Sequence, residues 1–336
     1  MVACFVEENG THRLDFVFAH GRKEEIEKRC TVIPVVIGTT NLVQNRRILK
    51  DVEVIIGTWE SPVFTPQQVR EFFPSLKLVL YAAGSVRYFA HAYLENGVTV
   101  ATAAAEMAIP VAQLTVSIIV QCARGFYNAE PMYRKTGWSY AHKLVTQTYP
   151  GLYDKTPIGL IGMGQIGRLV AKMLKNFDVR ILAFDPFLSD EKAKELGVEK
   201  VTLEELFASS QVISNHLANN PQTVGMLDYH LFHLMRKTAA FVNTGRGAQV
   251  VEADLARAME EEPLRSAVLD VTTKEPYPVD GPFRTLDNVC MLPHIAGFAE
   301  QDVLRFSDWV IRQLERYQNG EPIENIVTEK RLETMA

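Results

Sequence analysis

The chain has 336 residues, 47% of them hydrophobic, with a formal net charge of −5 and no long run of Lys or Arg. That length suits two domains of ~150 residues each, the apolar share is ample for packed cores, and the charge argues against a nucleic-acid partner. Cys4, Cys30, Cys122 and Cys290 are scattered and form no C-x-x-C pair. They point away from a disulfide framework or a zinc site and toward reduced thiols in the cytoplasm.

The N-terminus, Met-Val-Ala-Cys-Phe-Val-Glu-Glu, lacks the basic start and long apolar run of a signal peptide. Residues 1 to about 103 alternate short apolar runs with amphipathic patterns. Strands are expected at Val2–Val6, Val32–Ile37, Val52–Ile56, Leu78–Tyr81 and Val98–Val100. Helices are expected at Lys23–Arg29, Leu42–Leu49 and Pro66–Phe73, the last capped by Thr65. Such alternation predicts a parallel α/β sheet covered by helices. Met107 to Arg124 reads as a buried helix. Its most apolar part, Met107 to Cys122, holds Pro110, Gln113 and Gln121 and is expected to be too short for a membrane span. Gly125 to Lys155 shows no clear periodicity. It is either a connecting excursion at a subunit interface or a surface loop.

A second α/β domain opens at Pro157. Ile158 to Ile161 is a buried-strand run, Gly162, Gly164 and Gly167 follow at G-x-G-x-x-G spacing, and Ile166, Val170, Met173 and Leu174 recur with helical period. Val179 to Phe184 is the next strand, ending at Asp185. This is one βαβ unit of the dinucleotide-binding type. Gly162 permits the tight turn, Gly164 lets backbone approach a pyrophosphate, and Gly167 lets the helix sit close to the sheet. Gln165 and Ile166 open that helix, whose N-terminal N–H groups and dipole suit phosphate. Asp185 suits ribose hydroxyls, and Pro186, Phe187 and Leu188 after it carry no charge to neutralise a 2′-phosphate. The cofactor expected is therefore NAD rather than NADP.

The pattern continues with a capping box at Thr202–Glu205 and a strand at Val212–Asn215. A helix at Asp228–Met235, a strand at Ala239–Val242 and a helix at Glu252–Glu260 come next. Strands at Ala267–Leu269 and Val289–Leu292, and a last helix at Phe298–Tyr317, complete it. The expected division is 1–103 completed by 298–336, with 104–297 as the nucleotide domain. Three polar patches follow strands of that domain: Asn243-Thr-Gly-Arg-Gly247, Asp270-Val-Thr-Thr-Lys-Glu-Pro276 and Pro293-His-Ile-Ala-Gly297. In an open α/β sheet such loops face one crevice.

In this order the motifs closely resemble the D-isomer-specific 2-hydroxyacid dehydrogenases, from about residue 75 to 327. The resemblance implies two Rossmann-like, doubly wound parallel-sheet domains. One is a flavodoxin-like substrate domain split in sequence, the other an NAD-binding domain. It implies hydride transfer between NAD(H) and C2 of a small D-2-hydroxy or 2-keto acid, usually by a homodimer; from composition and spacing, no metal and no membrane partner are expected. It also implies that Arg246 binds the substrate carboxylate, that His294 is the acid/base and that Glu275 orients it. Those residue types suit the chemistry. A histidine titrates near ~6.5 and serves both directions, a paired carboxylate fixes its tautomer, and arginine offers a planar pair of donors.

His216, Thr223, Thr244, Gly245, Asp270, His294 and Gly297 are further candidate cofactor contacts, with Asn219 and Asn220 in the loop after His216. The substrate loop departs from the family. It reads Ala82-Ala-Gly-Ser-Val86-Arg87, with an apolar residue where the family has Asp or Asn. Backbone from Ala83 through Gly84 to Ser85 still suits a carboxylate, and Arg87 either meets a second anionic group or points to solvent. Downstream, the family's Asn-Thr-Pro is Thr102-Ala103-Ala104. Formate dehydrogenases, a rival within the family, have Gln where Glu275 stands. A rival of another class is an NAD(H)-sensing protein of the co-repressor type with little turnover.

Overall fold

The computed structural model describes residues 1–8 and 10–334. The described chain forms two compact units, Met1–Met107 together with residues 297–334, and Ala108–Ala296.

The first unit holds β1 (Val2–Val6), β2 (Thr31–Val32), β3 (Val54–Gly57), β4 (Leu78–Tyr81) and β5 (Thr99–Thr102). They form one sheet in the order β2-β1-β3-β4-β5, every pair parallel. This is the flavodoxin-like order. All residues of β3 and β4 are buried, as a strand covered on both faces requires. The Glu300–Gln318 helix closes the unit. Its Val303, Phe306, Trp309, Val310 and Leu314 pack with Ala3, Phe5, Val54 and Leu80 of the sheet. Its Asp308 receives both Nε and Nη2 of Arg22 at 2.8 and 3.1 Å.

The second unit holds β6 (Thr156–Ile161), β7 (Val179–Phe184), β8 (Glu199–Lys200), β9 (Val212–Asn215), β10 (Ala240–Asn243), β11 (Ser266–Leu269) and β12 (Val289–Met291). Their order is β12-β11-β10-β9-β6-β7-β8, again all parallel. The winding reverses between β6 and β9, the Rossmann arrangement, and a ligand crevice is expected beyond the carboxyl ends at that point.

Three expectations are corrected. The strand expected at Val32–Ile37 stops after Val32, leaving only a bridge between Val6 and Ile37. Pro34 has no N–H to give the ladder and breaks it. The stretch 125–155 is largely helical, with Phe126–Thr136 and Trp138–Thr148 joined at Gly137 in a left-handed conformation (φ 79°). Those helices bury only Asn128 and Ala141, so no apolar stripe betrays them in the sequence. The central helix begins at Ala104 and runs to Ala123, so its 20 residues are long and apolar enough to cross a membrane by length and composition alone. Its Ala112, Val116, Ile118, Ile119 and Cys122 belong to the core of the second unit.

Candidate active site

The glycine turn after β6 is built by contact. Gly162 has φ 89°, and a Cβ there would lie 2.7 Å from the His216 carbonyl oxygen. A Cβ on Gly167 would lie 2.1 Å from the Gly162 oxygen. Both must be glycine. Gly164 differs, because nothing lies within 4 Å of where its Cβ would point. It is also the N-cap of the Gln165–Leu174 helix and offers no side chain to that helix's first N–H groups. Closed glycines on either side of an open one, at an uncapped helix start, fit a pyrophosphate. Gln165 is exposed and Ile166 half-buried at that start. Asp185, at the end of β7, accepts from Met163 N–H at 2.7 Å and Phe187 N–H at 2.8 Å. Its carboxylate is thus fixed beside the glycine turn, with lone pairs remaining for hydroxyl donors.

The polar patches follow β10, β11 and β12. Asp270 is 2% exposed and organises the last of them. Its carbonyl accepts from His294 N–H at 3.0 Å, and its carboxylate accepts from Ile295 N–H at 2.8 Å and Ala296 N–H at 3.0 Å. Three successive amides gripped by one residue hold His294 at φ 55°. That left-handed backbone costs a non-glycine residue on the order of 1–3 kcal/mol. The result aims the ring. His294 Nδ1 lies 2.7 Å from Glu275 Oε2, and Thr272 N–H donates to Glu275 Oε1 at 3.2 Å. A carboxylate at Nδ1 makes that nitrogen the N–H donor, leaving Nε2 to exchange a proton.

Arg246 leaves β10 in extended conformation (φ −141°, ψ 144°), and its Nη1 donates to the Gly245 carbonyl at 2.8 Å. Burial pulls its guanidinium below the ordinary value, and the Glu275 carboxylate opposes that shift. Arg246 therefore feels the charge that also pairs with His294. The next residue locks the loops together. A Cβ on Gly247 would fall 1.9 Å from the Thr272 carbonyl carbon. Thr244, 5% exposed, meets Thr115 of the central helix, Oγ1 to Oγ1, at 2.8 Å. Gly245 N–H donates to Asn243 Oδ1 at 3.1 Å.

His216 continues the ladder after β9, its N–H donating to Ile161 O at 2.7 Å. Its Nε2 lies 3.0 Å from Ser214 Oγ, and its Nδ1 is enclosed without a hydrogen-bond partner among the described residues. Burial pushes its pKa down to about 4. Thr223 braces its own loop, donating to Ala218 O at 2.7 Å and accepting from Asn220 N–H at 3.1 Å.

Arg246, Glu275, His294, Asp270, Thr244, Gly245, His216, Thr223 and the glycine turn all lie in the second unit, while Gly297 begins the return to the first. Ala83, Gly84, Ser85 and Arg87 follow β4 of the first unit. There Thr102 Oγ1 is shared between the carbonyls of Ala83 (2.5 Å) and Gly84 (2.6 Å). Val86 is fully buried in that unit's core, and Arg87 is half-buried. Thr115, Asn215 and Gln249 escaped the sequence reading. Only Asn215 left a signal, a polar residue at the end of the otherwise apolar run Val212-Ile-Ser-Asn215.

Comparison with known proteins agrees with this geometry. Residues 116–296, just over half of the chain, match the family described as D-isomer specific 2-hydroxyacid dehydrogenase, NAD binding domain. The chain is 31% identical over 284 residues to a glyoxylate reductase of Korarchaeum cryptofilum, covering 84% of each. It is 32% identical over 283 residues to a D-3-phosphoglycerate dehydrogenase of Methanocaldococcus jannaschii, but spans only 52% of that protein. A phosphoglycerate oxidoreductase structure from Rhizobium etli shares the fold at TM-score 0.81 and 23% identity, over 98% of both chains. A nucleotide-binding Rossmann unit, a histidine paired to a carboxylate and likenesses that span most of the chain lead to one conclusion. The chain belongs to the D-isomer-specific 2-hydroxyacid dehydrogenase family, NAD-dependent enzymes that exchange a hydride with C2 of a small 2-hydroxy or 2-keto acid.

Proposed function

We propose that the enzyme reduces a small 2-keto acid with His294 as proton donor, Arg246 as carboxylate clamp and Glu275 as the partner that holds the imidazole. The observation that carries this is the 2.7 Å contact of His294 Nδ1 with Glu275. Bound NAD(H) supplies the hydride chemistry. The chain supplies the rest. Arg246 presents parallel donors to the carboxylate and the C2 oxygen, which fixes the orientation of a planar keto acid. His294 Nε2 delivers a proton to that oxygen in reduction and takes it back in oxidation. Glu275 accepts from Nδ1–H and stabilises the imidazolium.

For the cofactor we assign Gly162, Gly164, Gln165, Ile166 and Gly167 to the pyrophosphate and Asp185 to ribose. His216, Thr223, Thr244, Gly245, Asp270, His294 and Gly297 line the remainder. Asp270 and Thr223 act by shaping loops, because their side chains are committed to backbone partners. The unit that begins at Met1 is assigned as the substrate domain, with Ala83, Gly84, Ser85 and Arg87 as substrate contacts. We assign the protein to the cytoplasm, in keeping with its unpaired cysteines. A homodimer is supported by exposed Tyr133 (54%), Trp138 (64%) and Tyr140 (56%) on the 126–148 helices.

A panel of 2-keto acids with NADH, followed by cofactor absorbance, tests the assignment, with formate and NAD as the contrast. Turnover of at least one keto acid and none of formate is expected. Binding of NADH with no turnover of any acid would return the sensing role to favour.

A further inference from the structure

Three buried amides stand behind the Arg246 loop. Asn215 ends β9, Asn243 ends β10, and the two are register partners on adjacent strands. Gln249 closes the short 3-10 turn Gly247–Gln249 after Arg246. All three are almost wholly buried, at 0%, 1% and 0% exposure. Asn215 Nδ2 donates to Asn243 Oδ1 at 3.0 Å and to Gln249 Oε1 at 2.6 Å. Gln249 Nε2 donates to the carbonyls of Leu217 (2.8 Å) and Ala218 (3.0 Å). Asn243 Nδ2 donates to the Arg246 carbonyl at 3.1 Å, while its Oδ1 accepts from Gly245 N–H at 3.1 Å.

These bonds fix one another's polarity. Only an NH₂ group can face the two carbonyls of Leu217 and Ala218, so Gln249 must turn Oε1 toward Asn215. Asn215 must then present its NH₂ to both neighbours, and Asn243 must turn Oδ1 toward Asn215. That leaves Asn243 Nδ2 for the Arg246 carbonyl. Leu217 N–H, donating to Asn215 Oδ1 at 3.2 Å, and Gly245 N–H, donating to Asn243 Oδ1, hold the same orientation, so one continuous set of bonds runs from Gln249 to the backbone of Arg246. Buried relays of this kind are rigid when every member is satisfied.

We propose that Gln249 is a positioning residue for the reaction, acting through Asn215 and Asn243 to set the backbone from which Arg246 reaches the substrate. The proposal rests on the assignment of Arg246 as the carboxylate clamp. A displacement of about 1 Å in such a clamp can cost about 100-fold in rate.

Gln249→Met removes the acceptor of one Asn215 N–H and the donor to the Leu217 and Ala218 carbonyls, so the turn after Arg246 loses its anchor and Asn215 is held by fewer bonds. Gln249→Glu still accepts from Asn215 Nδ2 and keeps the relay in register, but it places a carboxylate against the Leu217 and Ala218 carbonyls. Both variants are expected to melt at lower temperature than wild type. Only Gln249→Met is expected to lose kcat/KM for the keto acid, by about tenfold or more, with Gln249→Glu within about threefold of wild type. Asn215→Asp is a second way to cut the relay, since a carboxylate cannot donate to Asn243 Oδ1, and the same loss is expected. It serves if the Met variant does not fold. Stability and activity thus part company, which a merely structural role would not produce. Equal kinetic losses in the Glu and Met variants, or wild-type kcat/KM in both Gln249→Met and Asn215→Asp, would overturn the proposal. Arg246→Ala in the same assay separates the two levels. If that variant keeps wild-type kcat/KM, the clamp assignment fails. If it loses activity while the relay variants keep theirs, only the positioning role fails.

Discussion

Two loops of this molecule follow the carboxyl end of a parallel strand, and they are held in opposite ways. After β4, the segment from Ala82 to Arg87 is fixed mainly by shape. Val86 sits in the core, a Cβ on Gly84 would press on Met107 Cε at 3.0 Å, and two hydroxyls brace three carbonyls, Thr102 at Ala83 and Gly84 and Thr58 at Ala82. After β10, the segment from Thr244 to Gln249 is fixed by directional bonds from three buried amides and from Thr115. Volume-conserving apolar changes usually cost less than about 1.5 kcal/mol, whereas a buried polar group left unpaired costs about 1–3 kcal/mol. The first loop, assigned to substrate binding, can therefore change its side chains at less cost than the second, which is assigned the chemistry.

The contrast is sharpest where the second loop's neighbours are assigned the proton work. His294→Ala is expected to lower kcat by a factor of about 10²–10⁴, with NADH affinity almost unchanged. Steady-state kinetics with a cofactor titration checks this, and wild-type turnover would remove His294 from the chemistry. Arg246→Lys comes next. A point charge does not reproduce a planar pair of donors, so kcat/KM for the keto acid should stay about tenfold or more below wild type. Full activity in the Lys variant would mean that charge alone suffices at this position.

The cofactor side of the second unit gives the third expectation. Asp185 is locked by two backbone N–H groups and cannot swing away from a 2′-phosphate. NADH should exceed NADPH in kcat/KM by at least about tenfold, by charge repulsion alone. A ratio near one would show that a cation elsewhere neutralises the phosphate.

How much of this was legible in the sequence follows the same contrast. Gly162, Gly164, Gly167 and Asp185 could be read because a backbone path dictates residue types at fixed spacing. Arg246, Glu275 and His294 could be read because their motifs stand in a recognisable order. The relay could not. Asn215 and Gln249 lie 34 positions apart, and only the register of β9 against β10 brings the strand-end amides together. The helices at 126–148 were hidden because Phe126, Tyr133, Trp138 and Tyr140 face outward and only Asn128 and Ala141 are buried, leaving no stripe to count. The grip of Asp270 on the His294 loop was equally invisible, because its partners are backbone amides that every sequence contains.

Thr102→Val tests the loop held by shape. The change keeps the volume and deletes the hydroxyl that the Ala83 and Gly84 carbonyls share. A rise in KM for the keto acid of about threefold to tenfold is expected, with kcat near wild type, since this loop is assigned to binding. A loss as large as that of His294→Ala would erase the distinction between the loops.

The smallest expected effect concerns His216 and appears in stability. Part of the residue is accessible, but its Nδ1 is enclosed without a hydrogen-bond partner among the described residues. Burial penalises the charged imidazolium, so the fold favours the neutral ring and its pKa falls to about 4. The unfolded chain has a value near ~6.5. A depressed histidine stabilises the fold fully above ~6.5, and that contribution is lost as pH falls toward about 4. The wild-type melting temperature should drop over that window, and His216→Asn, which has no proton to take up, should show a shallower drop. The same variant supplies a kinetic control. His216 is already neutral above about pH 6, so the shape of the reductive pH profile there should be the same with and without it, whatever its height. A limb of that profile that moved in His216→Asn would assign the catalytic titration to the loop after β9 and take it away from His294.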